Sequence, residues 1–224
     1  MALATLNGFD VVSARITLPL SGAWHADVIV DSAKAPTGAA LLVLDGGLRL
    51  TGRTTRSDAY LETSYLRMTA GADGMRRTAR PKFYTSGTVG VVLRDLLSTA
   101  GETLATSSAA DVLGATLPAW ATIAQPVGAA LAVLLARGGP AGATWRHLPD
   151  GTLWVGVETW PDSGMVDGTD FVQVDSHPHE DRVELGVETL HLLPGTLLQG
   201  RRVNTVEHDL QDGRVRTSAM LQAG

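Results

Sequence analysis

The 224-residue sequence has no cysteine. That absence excludes disulfides, thiolate metal sites and cysteine nucleophiles, and it argues against a small disulfide-stapled secreted scaffold; zinc would need histidine and carboxylate ligands instead. Lysine is nearly missing too: Lys34 and Lys82 stand against sixteen arginines, a bias that fits a GC-rich genome and carries no functional weight. Positive charge is short overall, with a net charge of −5 and a pI near 5.6, so there is no electrostatic footprint for nucleic acid or an anionic membrane. Aromatic residues make up only 5%. Long apolar runs are absent: the most hydrophobic window, 127–135, is too short to span a bilayer. Residues 1–10 carry no basic stretch followed by an apolar one, so no signal peptide and a cytoplasmic site of synthesis are expected. Catalytic signatures are missing as well. No Gly-x-Ser-x-Gly elbow occurs, and Gly71-Ala72-Asp73-Gly74 and Gly138-Gly139 lack the spacing of a dinucleotide or phosphate loop.

What is present is 44% hydrophobic residues with 25 Gly and 10 Pro, the composition of a turn-rich folded chain long enough for one large domain or two small ones. From residue 9 to about 68 the apolar residues alternate, as in Trp24-His25-Ala26-Asp27-Val28-Ile29-Val30, with Gly, Pro and Asp between the runs. That pattern predicts five or six short antiparallel strands. Residues 70–84 read as a long basic loop. The period then becomes helical at 90–97, with Ser86 or Thr88 to begin the helix and Gly101 to end it, and again at 126–137, with Gly138-Gly139 behind it. Strands return after Gly142. Leu148-Pro149-Asp150-Gly151 predicts a hairpin turn; strands are expected at 171–174, 182–187, 189–193 and 196–198, and a last hairpin turns at Gln211-Asp212-Gly213. The fold class is mainly β with an α-helical insert, an α+β arrangement. Two small antiparallel β-barrel domains, 1–80 and 161–224, flank a helical insert with a β-hairpin, 81–160.

The residues offer three places where function could sit. His177 and His179 share one face of an extended segment beside Glu180, a geometry able to hold a borderline cation, although Pro178 and the want of a third spaced histidine weigh against a metal centre. Trp154 and Trp160, near Glu158, Asp162, Asp167 and Asp170, have the chemistry of a sugar-binding surface or a glycosidase carboxylate pair. A metal-dependent hydrolase or a carbohydrate-binding β module is therefore the alternative function. Charge segregation supplies the third place. Arg76, Arg77 and Arg80 lie in a basic segment, whereas Asp167, Asp170 and Glu180 lie in an acidic one, a pairing that suits head-to-tail contact between subunits of a ring.

Several runs, in this order, resemble the phage tail hub, or baseplate hub, proteins related to the N-terminal hub part of VgrG spikes from type VI secretion. They are Thr88-Val89-Gly90-Val91-Val92-Leu93-Arg94-Asp95-Leu96-Leu97, Leu117-Pro118-Ala119-Trp120, Trp145-Arg146-His147-Leu148-Pro149-Asp150-Gly151-Thr152-Leu153-Trp154-Val155-Gly156 and Pro194-Gly195-Thr196-Leu197-Leu198-Gln199-Gly200. The resemblance spans about residues 9–220. It implies a homotrimer in which each subunit gives two β-barrels to a ring, matching a sixfold tail tube on one face and a threefold spike on the other, with a channel for DNA. It further implies a virion protein of the tail tip or baseplate, assembled in the host cytoplasm. No catalysis, cofactor, metal, specific nucleic-acid binding or membrane insertion follows from it. The sequence is shorter than many hub proteins and shows no spike or lysozyme extension, so a separate spike protein is expected.

Overall fold

The alternating N-terminal segments form six strands: β1 (Ala4–Leu6), β2 (Phe9–Pro19), β3 (His25–Val30), β4 (Gly38–Leu44), β5 (Arg49–Tyr60) and β6 (Thr63–Ala70). These come from a computed structural model that describes residues 3–34, 36–157, 162–166, 168–176, 180–185 and 189–222, with the backbone alone for 173–176 and 180. The strands hydrogen-bond in the order β1-β4-β5-β6-β3-β2, and β1 also pairs with β2, so the sheet closes into a six-stranded barrel. Every second residue points inward. Leu6, Ile16, Trp24, Ala26, Val28, Val30, Leu42, Leu44, Leu50 and Met68 are each at most 2% exposed and fill the interior. Val12, apolar yet 52% exposed, is explained by a register shift between Val11 and Ser13 that changes the phase of β2. Trp24 fits because residue 52 is glycine: a Cβ there would stand 2.1 Å from the Thr69 carbonyl oxygen and 2.9 Å from the Trp24 ring.

The next elements are β7 (Lys82–Tyr84), β8 (Gly87–Thr88), α1 (Val89–Ala100), α2 (Ala110–Gly114), β9 (Thr116–Leu117), β10 (Trp120–Thr122), α3 (Val127–Gly138), β11 (Thr144–His147) and β12 (Leu153–Gly156). Helix α1 buries Val89, Val92, Leu93, Leu96, Leu97 and Ala100, spaced three and four apart as one helical face requires. It ends at Gly101 in the left-handed region, whose N–H bonds to the Leu97 carbonyl. Helix α3 follows Pro126, which stands just outside the helix as its N-cap. Both helices pack with Trp145, Leu153 and Val155 of the β11/β12 hairpin into one apolar core. The segment read as a loop, 70–84, ends in a strand: β7 pairs with β10, as β8 does with β9.

The chain closes with β13 (Phe171–Ser176), β14 (Glu180–Leu185), β15 (Leu197–Leu198), β16 (Arg201–Gln211) and β17 (Arg214–Gln222). Residues 189–193, expected as a strand, form a turn instead: the Leu192 N–H bonds to the Thr189 carbonyl while Leu190 and Leu192 are buried. Strand β16 pairs with β2, and the order continues β16-β17-β14-β13 with β15 beside β16. Among the described residues these strands extend the barrel sheet from β2 outward. Among the described residues the architecture is a mixed α+β fold with one closed barrel. The chain divides into a β unit, Met1–Thr69 with Thr159–Gly224, and a helical unit, Ala70–Glu158. Among the described residues no helix is long and apolar enough to cross a membrane.

Candidate functional site

The β unit presents a polar face built by register. Eight strands follow one another as β5-β6-β3-β2-β16-β17-β14-β13. Across five of them one row alternates in charge: Arg67 lies opposite Asp27, Asp27 opposite Arg15, Arg15 opposite Asp209, and Asp209 opposite Arg216. Arg67 grips Asp27 with two bonds of 2.8 and 2.6 Å, and Arg15 approaches Asp209 at 3.5 Å. The Arg67 hydrogen bond and charge hold the Asp27 carboxyl below its ordinary value. Each of these pairs is exposed to solvent and adds only about 0–1 kcal/mol to stability. Their consequence is electrostatic: opposite charges one strand apart leave little net field over the row. A cleft of about 640 Å3 runs along it, lined by Arg15, Asp27, Arg56, Asp58, Arg67 and Asp209 among others.

Both ends of this run have an unpaired edge among the described residues. Pairing of β4 with β5 stops at Gly38 and Thr54, so 55–60 of β5 has no strand on its β4 side. At the far end β13 pairs only with β14. Backbone N–H and C=O groups on such edges are templates for pairing with another chain. The turn after β5 exposes Tyr60 and Leu61 at 66% and 81%, with Leu61 held at φ +54°.

In the helical unit the loop that follows β6 does hold an anion, and the anion is the protein's own. The Glu102 carboxylate accepts the Ala72 N–H at 3.0 and 3.1 Å and the Gly74 N–H at 2.8 Å, the way a nest of backbone amides binds a charged ligand. His147 Nε2 lies 3.3 Å away, and the two side chains are 0% and 1% exposed. Burial pushes the Glu102 carboxyl up, but the hydrogen bonds from His147, Ala72 and Gly74 outweigh it and hold the group below its ordinary value. Residue 71 must be glycine, since a Cβ there would meet the carboxylate at 2.1 Å. A carboxylate and imidazole so enclosed have no access to a substrate, so the pair works as a clasp on the loop.

The residues singled out in the sequence fall in separate places. Arg76, Arg77 and Arg80 are exposed in the helical unit, Arg76 bonded to Asp73 at 2.8 Å. Asp170 is in the β unit, where its carboxylate accepts the Val166 N–H at 2.8 Å and closes a turn. Glu180 lies in β14 with its backbone opposite Gln222. His177, His179, Trp160 and Asp167 lie outside the described residues. Among the described residues no three or more His, Asp or Glu gather as a metal would need. Trp154 spends its indole N–H on the Ser107 carbonyl at 3.1 Å and carries the Arg146 guanidinium 5.3 Å from its ring, which occupies the polar edge and one face that a sugar would use. Glu102, His147 and the charged row were missed. Their partners come from distant segments, and only the outward position of each charge on its strand was legible.

No family model matches the sequence, and no curated protein matches it by sequence. Solved structures match in fold. The prophage MuSo2 43 kDa tail protein from Shewanella oneidensis superimposes with a TM-score of 0.73 at 12% identity, over 97% of this chain and 96% of that one. A tail protein from Neisseria meningitidis MC58 gives 0.71 at 12%, over 99% and 96%. The E. coli c3393 protein is a type VI secretion component with structural similarity to the T4 bacteriophage tail proteins gp27 and gp5. It gives 0.66 at 12%, over 97% of this chain and 76% of that one. At such identity the likeness is one of fold.

Proposed function

We propose that this chain is a structural subunit of a phage-type tail, a hub that closes as a homotrimeric ring around a DNA channel. The observation that carries the reading is the eight-strand run with an unpaired edge at each end. Joining β13 of one copy to β5 of the next removes both edges and continues the alternation of strand direction. Around a threefold axis three such runs make one large barrel. Barrels of about 16–18 strands already enclose a water-filled lumen, so a larger one has room for a duplex. The fold shared with tail proteins and a type VI secretion component supports the same reading.

In this ring the first barrel (1–80), the helical insert with its hairpin (81–160) and a second barrel-like domain (161–224) are the modules of each subunit. Two β modules per copy give six around the ring, which meets a sixfold tail tube on one face and a threefold spike on the other. The solvent face with the Arg67–Asp27–Arg15–Asp209–Arg216 row lines the channel, where near-neutrality lets DNA pass without being held. The work is mechanical: no reaction, cofactor, metal or membrane insertion enters it. The protein belongs to the virion, at the tail tip or baseplate, after assembly in the host cytoplasm. Sedimentation and electron microscopy of the purified chain test this. Three-copy rings with an open centre are expected; a monomer throughout the micromolar range overturns the proposal.

A further inference from the structure

The two free edges of the eight-strand run match in length and direction. On β5 the free stretch is 55–60 and on β13 it is 171–176, six residues on each, among the described residues. Strand direction alternates across the run, so β5 and β13 point opposite ways and a junction between two copies is antiparallel. Residues directly opposite one another then share a face.

That condition leaves three registers. On β5 the solvent face carries Arg56 and Asp58, which line the cleft with Asp27, Arg67 and Asp209, and the period of two adds Tyr60. On β14 the same face continues from Arg216 and Ser218 of β17 to the exposed Glu184 and Arg182. On β13 it therefore holds Val172, opposite Glu184, and the Asp175 position, opposite Arg182, because the register shift between Gln173 and Asp175 leaves residue 174 without a partner on β14. Val172 of one copy must face Arg56, Asp58 or Tyr60 of the next. Against Tyr60, the ladder needs Leu61, which is held in the turn at φ +54°, and it sets Asp58 opposite Asp175, two like charges. Against Arg56, it stops after three pairs, since Thr54 already belongs to β4. Against Asp58, it runs whole: residues 59 to 55 lie along 171 to 176, and Arg56 stands opposite Asp175.

We propose that neighbouring copies join in this one register, with Arg56 and Asp175 selecting it. Arg56 bonds to Asp58 at 2.6 Å within its own copy and is 77% exposed, so its guanidinium has room for a second carboxylate. The slip of two residues that brings Tyr60 to Val172 exchanges this attraction for repulsion, which is how a polar edge selects one partner over another. The inference rests on the ring reading above and names the residues that meet at each of its junctions.

The chain has no cysteine, so introduced pairs report the register directly. Antiparallel pairs alternate between a wide and a close type, so Asp58→Cys/Val172→Cys and Ser57→Cys/Gln173→Cys between them include a close pair within disulfide reach. Oxidation of the assembled protein should give dimer and trimer bands on a non-reducing denaturing gel in at least one of these two variants, and none in Tyr60→Cys/Val172→Cys. Arg56→Glu should weaken association several-fold, most at low salt, and adding Asp175→Arg to the same chain should restore it. Rings linked through the Tyr60 pair, rings that no pair links, or a charge reversal that Asp175→Arg does not rescue overturn the register and leave the ring standing. A wild-type chain that stays monomeric overturns both.

Discussion

His208 and Glu102 are buried titratable groups whose pH effects fall in different windows. His208 is 0% exposed with Nδ1 2.9 Å from the Thr217 hydroxyl, and burial pushes its pKa down to about 4. The unfolded chain, with an ordinary imidazole near 6.5, takes up a proton that the native state refuses. Stability is therefore complete above that value and is lost as the pH falls toward 4, by about 3 kcal/mol at the limit. Urea titrations at neutral pH and near pH 5 should show the fall, and His208→Gln should flatten it. Glu102 has the opposite chemistry, with a folded carboxyl held below its ordinary value of 4.5. Its contribution is present above that value and is lost only as the pH drops through the folded pKa. Removing the carboxylate by Glu102→Ala leaves two amide N–H groups and His147 buried without their acceptor. A loss of about 3 kcal/mol is expected at neutral pH, read from the urea midpoint.

At the scale of the elements, two short strands and one crowded strand repay attention. Gly52→Ala drives a methyl group into the Thr69 carbonyl, a backbone atom that cannot swing aside, and into the Trp24 ring. The barrel should lose about 1–3 kcal/mol and the tryptophan emission should shift as the ring moves. In the β7/β10 ribbon, Thr122→Val keeps the shape but removes the hydroxyl that anchors the register. Exchange of the Lys82 amide hydrogen should rise at least tenfold, since a buried donor loses its acceptor at a cost of about 1–3 kcal/mol. An unchanged exchange rate would mean that the register is held by something other than the hydroxyl.

For the whole molecule the charged row is a better probe than any stability measurement. Exposed pairs such as Arg15–Asp209 should change the unfolding free energy by less than about 1 kcal/mol when cut to alanine. Neutralising Asp27 and Asp209 together leaves three arginines in line on one face. The wild type should pass a DNA column without retention, whereas Asp27→Asn/Asp209→Asn should be retained at low salt and released as salt rises. Equal passage by both proteins would mean that this face exerts no control over DNA.

The hydrophobic period and the turn residues were enough, before any coordinates, to place the N-terminal strands, both long helices and the hairpins at Gly151 and Gly213, because those signals are local. Contacts between distant segments were beyond them. Strand register across β6, β3, β2, β16 and β17 decides that five charges spread from Arg15 to Arg216 stand in one row, and a shift of one residue in any strand would break it. The glycines of the 71–74 loop, lacking a phosphate-loop spacing, proved to cradle Glu102 from thirty residues away. Tertiary structure alone also decided which face of the β7/β10 ribbon turns inward, because Tyr84 and Trp120 pack on the apolar core of the helical unit while the Thr122 hydroxyl bonds the Lys82 N–H and the Arg80 carbonyl, which leaves Phe83 outside.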